Sequence, residues 1–329
     1  MKALESSAIH ARRPVAIATM FVAELAWALV VATPVHEWAG RVWGSHPDGD
    51  AVLFAPGGRD LLMWLGQEGA GLSVTARTAI VLLVVGALIL QLPFGALVAS
   101  LAFGSAGAAA PVPAGDNAES TPPSPPRTHS LRMSTAWKVG VGAWLPLTAL
   151  LAFSAILTVI VLSLGGIVAS LVERSLTESL GDARSFTARI VVLALFAAIA
   201  AVLGVVVDLA RAAAVRDVGI GFAEGASRPA WSIMLRGLRT AMSAARKGLG
   251  RATLGWAWRA VAGVALVAVG YAAASVLGGR GGAALPGLFV IHQAVVLGRV
   301  ALRASWMARA LALVASVQDE REPERSAPP

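Results

Sequence analysis

The stretch IVVLALFAAIAAVLGVVV, residues 190–207, decides the fold. It carries no charge from end to end and is closed by Arg189 on one side and Asp208 on the other. At 1.5 Å per helical residue it reaches about 27 Å, against a bilayer hydrocarbon core of about 30 Å. Working outward, five further runs share this character: roughly 14–34, 78–104, 139–172, 260–278 and 285–298. Six such runs, each bounded by arginine-rich polar sequence, predict an all-α polytopic membrane bundle.

Composition agrees. The chain has 329 residues, of which 57% are hydrophobic and 14% charged, and its mean hydropathy is +0.71. Soluble domains carry about 25% charge, so this chain lacks the polar skin that a globule of its size requires. There is no cysteine, which excludes disulfides, thiolate nucleophiles and cysteine-ligated zinc. The five histidines are His10, His36, His46, His129 and His292, and none forms an H-x-x-x-H pair, so a helical zinc site of that type is absent. The net charge of +8 raises the question of nucleic acid. Cytoplasmic loops of membrane proteins are themselves enriched in Lys and Arg, which accounts for the charge without one.

Arginine placement orients the spans. With the N-terminus in the cytoplasm, the inner segments hold twenty of the 27 basic residues, and the outer ones hold Arg41, Arg59, Arg77, Arg174, Arg184, Arg189 and Arg280. That bias predicts both termini inside for six spans. Trp38, Trp43, Trp137, Trp256, Trp258 and Trp306 fall near span ends, where an indole prefers the headgroup level. Arg12-Arg13, an apolar stretch and Val30-Val31-Ala32 also resemble a cleavable signal peptide. Glu24 in mid-run argues against that reading.

The expected organisation is a cytoplasmic N-terminus (1–13), spans 1 and 2 (14–104) with an outer loop (35–77), a linker (105–136), spans 3 to 6 (137–317) and a disordered tail (318–329). The outer loop contains Asp60–Leu65, read as a short amphipathic surface helix. The linker carries Pro111, Pro113, Pro122, Pro123, Pro125 and Pro126 among Ser, Thr and Gly. Proline lacks a backbone donor and the stretch has little to bury, which suits a flexible connection. The third run is longer than a bilayer is thick, so it is expected to bend near Pro146, tilt or project. No internal repeat relates the two halves, which disfavours an inverted-repeat transporter.

Between spans 4 and 5, Ser227-Arg228-Pro229 looks like a helix start. Trp231, Met234, Leu235, Leu238, Ala241, Met242, Ala245 and Leu249 then recur at steps of three and four. Arg236, Arg239, Ser243, Arg246 and Lys247 occupy the other face. This predicts a basic interfacial helix over 228–250, apolar face in the acyl boundary and cations at anionic headgroups. Arg236, Arg239, Arg246 and Lys247 are the candidate headgroup contacts.

Ionisable groups inside a membrane are costly, so each is a candidate for function. Glu24 lies about 15 Å into span 1. His292, Arg299 and Arg303 follow one helix face of the last span, with Gln293 beside them. Asp208 and Arg303 lie at matching depth, about 27 Å from the outer side. That predicts an ion pair of Asp208 with Arg303 or Arg299, because a partner offsets the cost of desolvating either charge.

Other motifs carry less. His36-Glu37 and His46-Pro47-Asp48-Gly49-Asp50 could ligate a metal, yet Pro-Asp-Gly-Asp is equally turn chemistry. Gly278-Gly279-Arg280-Gly281-Gly282 lacks the Lys-Ser/Thr of a phosphate loop and is read as a tight turn. Gly104-Ser105-Ala106-Gly107 has no histidine at matching depth to serve as a base. Gly263 and Gly270 suit close helix packing.

Asp208-Leu209-Ala210-Arg211 after span 4, and His292-Gln293 followed by Arg299 and Arg303 in the last span, carry a resemblance. Together they are similar to a loosely defined group of uncharacterised six-span bacterial integral membrane proteins. The resemblance covers roughly 190–315. It implies a six-helix bundle in a bacterial inner membrane and implies no reaction. With no nucleophile–base constellation, no catalytic centre, cofactor or metal is expected. The expected role is a structural or accessory membrane component. Its expected partners are anionic lipid headgroups and other membrane proteins or further copies of the chain, not nucleic acid. The alternative is a small-solute transporter or channel lined by Glu24, Gln91, His292, Gln293 and Arg299 on spans that include 1 and 6.

Overall fold

The computed structural model describes residues 13–44, 69–104, 133–226, 228–277 and 284–319. Among them every element is helical. We number the helices α1 (Pro14–Trp43), α2 (Gly69–Ile89), α3 (Gln91–Gly104), α4 (Met133–Leu180), α5 (Asp182–Ala223), α6 (Ala230–Leu277) and α7 (Ala284–Asp319). Six stretches are long and apolar enough to cross a membrane: Pro14–Arg41, Gly71–Phe103, Met133–Thr177, Asp182–Ala223, Ala230–Leu277 and Pro286–Val317. The expected all-α architecture of six membrane helices is therefore present. The surface helix of Asp60–Leu65, the His46–Asp50 segment, residues 1–12, most of the proline-rich linker, Ser227, the Gly278–Gly282 turn and residues 320–329 lie outside the described residues, while residues 318 and 319 of the expected tail are helical.

Several boundaries move. α1 runs on through Pro34 to Trp43, and α4 begins at Met133 and continues through Pro146. The second run is two helices. Pro93 has no N–H, so the carbonyl of Ile89 loses its helical partner and the regular pattern breaks at Leu90. The Leu90 N–H still donates to Gly86 O (2.8 Å) and the Phe94 N–H to Leu90 O (3.1 Å). The Gln91 side-chain amide donates to Ala87 O at 2.9 Å.

The chain forms two compact units, Met1–Leu97 with Trp258–Ser305 and Val98–Ala257 with Trp306–Pro329. In the first unit, α1 packs on α2. The Trp27 indole N–H donates to the Leu82 carbonyl at 3.0 Å, and the ring lies where a Cβ on Gly86 would stand. The absence of that Cβ is what admits the indole. Gly86→Val is expected to expel it and to lower stability by about 1–3 kcal/mol, the usual range for overpacking. Trp27→Phe, which loses one hydrogen bond, is expected to cost about 1 kcal/mol. Unfolding midpoints in detergent check both. Further along, α6 and α7 meet at Gly298, whose Cβ would come within 2.9 Å of Leu266.

In the second unit, α4 and α5 form an antiparallel hairpin joined by Gly181 alone. Its φ of 75° is a left-handed value that glycine adopts without strain. Arg189 on α5 bonds Glu173 on α4 at 2.9 Å near that turn. The core lies towards the opposite end of the hairpin. It is built from Val98 and Ala99, the first turns of α4 (Ala136 to Leu150), α5 from Val205 to Val215, and α7 from Trp306 to Val317. Alanine dominates it. In a bilayer, helices gain no hydrophobic drive to associate, and small residues let backbones approach closely enough for dispersion to hold them. α5 ends in a Schellman motif: Gly225 has φ 68°, and the Ala226 N–H reaches back to Gly221 O at 2.8 Å.

The basic helix and span 5 are one element, α6, with a kink at Gly248 (φ −162°, ψ 36°). Its first half is docked. Ile233, Gly237, Thr240, Ala241, Ala244, Ala245 and Ala252 are buried, and a Cβ on Gly237 would lie 2.9 Å from the carbonyl oxygen of Ala210 on α5. The expected apolar stripe is thus divided. Its small members, Ala241 and Ala245, face the protein, while Trp231, Leu235, Met242 and Leu249 stay exposed.

Candidate functional site

The most completely assembled polar site lies in the second unit, at the Asp208-Leu209-Ala210-Arg211 element. One turn of helix separates Asp208 from Arg211, so both project from the same side of α5. Asp208 Oδ1 accepts from Arg211 Nη1 at 2.9 Å. Asp208 Oδ2 accepts from the Trp306 indole N–H on α7 at 3.0 Å. Both carboxylate oxygens are therefore engaged, one by an ion pair along the helix and one by a neutral donor across the interface. Arg211 is 8% exposed and Trp306 3% exposed. Arg211 Nε has no hydrogen-bond partner among the described residues.

The expected pairing of Asp208 with Arg303 or Arg299 joins residues of two different units; within its own unit Asp208 meets Arg211. The cation that neutralises Asp208 is three residues away on its own helix, where reach costs no ordering of a second element. Trp306 and Trp38 are buried among protein side chains. Trp258 and Trp231 do keep exposed rings.

The remaining intramembrane candidates belong to the first unit. Arg303 lies with its guanidinium carbon 4.5 Å from the centre of the Phe94 ring on α3. A cation over an aromatic face gains about 0.5–2 kcal/mol according to its exposure. Arg303 and Arg299 are the cations whose fields act on Glu24, Arg303 more strongly. Glu24 on α1 is thus within electrostatic reach of Arg299 and Arg303 on α7, and Arg303 also meets Phe94 of α3. His292 is set apart from these groups. Its Nδ1 lies 3.0 Å from the carbonyl of Leu288, one turn back on α7, and its ring edge lies beside Gly270 of α6. Gln91 is buried, and Gln91 Oε1 and Gln293 Oε1 have no partner among the described residues.

Three further groups escaped sequence reasoning. Arg259, 8% exposed, directs Nε and Nη2 to Ser305 Oγ at 3.0 and 2.8 Å. Arg309 lies across Gly255, whose missing side chain leaves room for it. Phe103 occupies the place of a Cβ on Gly219. Each unites residues far apart in sequence through a glycine or a hydroxyl, which no local periodicity marks.

On the exposed side of α6, Leu235, Leu238, Arg239, Met242, Ser243 and Arg246 line a groove of about 370 Å³. Arg239, Arg246 and Lys247 are exposed and Arg236 half-buried. Arg236 bonds back to Ser232. Among the described residues no cluster of three or more His, Asp or Glu side chains is suited to a metal. No family model, no curated protein and no solved structure matches the chain.

Proposed function

We propose that the protein is a structural or accessory component of a bacterial inner membrane, with both termini cytoplasmic, that organises anionic lipids or a neighbouring membrane complex and catalyses no reaction. One observation carries this reading. The first half of α6 is fixed to α5 by its small residues and presents outward a face on which Trp231, Leu235, Met242 and Leu249 alternate with Arg239, Arg246 and Lys247. Trp231 is 65% exposed. Such a face suits the headgroup–acyl boundary, where indole and aliphatic side chains enter the chains and cations meet phosphate. The concentration of arginine in alternate segments supports the orientation, and the D-L-A-R and H-Q…R…R elements support a bacterial source by resemblance.

Attraction to an anionic leaflet is about 1 kcal/mol per basic side chain at the surface. Neutralising four of them in R236Q/R239Q/R246Q/K247Q is therefore expected to lower the preference for phosphatidylglycerol over phosphatidylcholine by about tenfold or more. Lipid retained by the purified protein, exchanged in mixed micelles of the two lipids, measures it. An unchanged preference would overturn the proposal. The second reading, small-solute transport at an intramembrane polar site, rests on Glu24 within electrostatic reach of Arg299 and Arg303. It requires solute flux in proteoliposomes that Glu24→Gln abolishes.

A further inference from the structure

A second groove, of about 600 Å³, lies between α6 and α7 in the first unit. Ala262, Ala265, Leu266 and Val269 line it from α6, and Gly298, Ala301, Leu302 and Ser305 from α7. Its size falls in the ordinary range for small-molecule sites, about 300–1,000 Å³. The lined stretch of each helix is eight residues long, about 10 Å from first to last. Along that length the walls are hydrocarbon. Small residues open the trough, and Leu266, seated on Gly298, supplies its floor.

One end is different. Ser305 closes the groove and accepts two N–H bonds from the buried guanidinium of Arg259. A hydroxyl has one proton to donate and two lone pairs to accept. Elsewhere in these helices a serine spends that proton on a carbonyl one turn back, as Ser170, Ser185, Ser275 and Ser316 do. Ser305 has no such bond among the described residues. With both lone pairs taken by Arg259, its O–H is left to donate at the mouth of the groove. The same mouth holds the positive charge of Arg259, stacked 4.9 Å from the centre of the half-exposed Trp258 ring.

We infer that this groove binds an anionic phospholipid, one acyl chain along the Ala262–Val269 and Gly298–Leu302 walls and the charged headgroup at Ser305 and Arg259. The inference deepens the lipid-organising role and rests on α6 crossing the membrane with residue 259 at its basic end. In a bilayer an acyl chain has no hydrophobic reason to prefer a protein groove to its neighbours. Dispersion contact alone would give a loosely held annular lipid. Occupancy must come from the polar end, where a phosphate gains a charged partner and a hydroxyl donor in surroundings of low dielectric. That is why the walls are apolar and featureless while one end carries a cation. It also places the lipid in the leaflet that the basic segments face.

Native mass spectrometry of the full chain in detergent, titrated with dioleoylphosphatidylglycerol or dioleoylphosphatidylcholine, tests it. The wild type is expected to hold one phosphatidylglycerol at least fivefold more tightly than any later one, and to hold phosphatidylcholine without such a step. Ala265→Phe with Ala301→Phe fills the groove and is expected to abolish the tight step. Because two phenylalanines could disturb folding, Ser305→Ala and Arg259→Gln leave the groove open and are expected to weaken the step at least threefold while phosphatidylcholine binding is unchanged. R236Q/R239Q/R246Q/K247Q is expected to lower total phosphatidylglycerol binding yet to retain the tight step, which separates this site from the surface of α6. A tight step that survives filling of the groove overturns the inference, and so does equal retention of the two lipids. Conversion of a dimer to a monomer by the filled variant would assign the groove to a second copy of the chain and overturn it equally.

Discussion

Asp208→Ala is expected to destabilise the protein by about 3 kcal/mol, the lower end of the range for breaking a buried ion pair by removing one partner. The reason is what remains. Arg211 stays 8% exposed with its charge uncompensated, and the Trp306 indole loses the acceptor at 3.0 Å. The lower end applies because the Asp208 side chain keeps 19% of its surface. Trp306→Phe removes only the neutral donor and is expected to lose less, about 1.5–2 kcal/mol for a hydrogen bond to a charged group. The double replacement Asp208→Leu with Arg211→Leu should recover most of the loss, since an apolar pair of similar volume carries no desolvation cost. Unfolding midpoints in a fixed detergent measure all three. If the double variant is no better than Asp208→Ala alone, Arg211 is not the partner that matters.

The second large effect is expected at Gly237. A Cβ there would stand 2.9 Å from the Ala210 carbonyl, a backbone atom within a buried stretch of helix that cannot turn aside as a side chain does. Gly237→Leu is expected to lever the first half of α6 from α5 at a cost of about 1–3 kcal/mol or more. It should also expose the Arg236, Arg239 and Arg246 peptide bonds to trypsin, raising cleavage there by about tenfold, as release of a docked segment increases its open population. Leu235→Ala, on the exposed side of the same helix, is the control and should leave cleavage unchanged. Equal cleavage of Gly237→Leu and the wild type would show that the helix floats free of α5.

These two sites show where sequence reading succeeded and where it could not. Spans are legible because hydrocarbon imposes length and composition at once. Residues 190–207 therefore fall inside α5 and 260–277 inside α6, and the last run lies inside α7, which continues to Asp319. Position along a span does not choose a partner. Asp208 and Arg211 were visible as D-x-x-R, and a same-helix neighbour was available before any inter-helix match at equal depth. The Trp306 donor was not legible, because nothing local links two residues 98 positions apart. The basic helix shows a related limit. Periodicity put Trp231, Leu235 and Met242 with Ala241 and Ala245 on one apolar face expected in the acyl boundary, and gave no sign that the small residues would meet another helix. Docking was decided instead by Gly237, Ala241 and Ala245, whose small size lets two backbones meet. Pro93 marks the break between α2 and α3, but a missing N–H does not by itself decide a break, since Pro34 and Pro146 lie inside continuous helices.

The central claim is that the bilayer is crossed six times, with the arginine-rich segments on one side. The chain has no native cysteine, so single cysteines report directly. Ser6→Cys, Ser45→Cys, Ser120→Cys, Arg184→Cys, Ala226→Cys, Arg280→Cys and Ser326→Cys sample each segment in turn. A membrane-impermeant maleimide applied to intact cells is predicted to label positions 45, 184 and 280, and to reach 6, 120, 226 and 326 only after permeabilisation. Labelling of 226 or 326 in intact cells, or two consecutive segments behaving alike, would contradict the account.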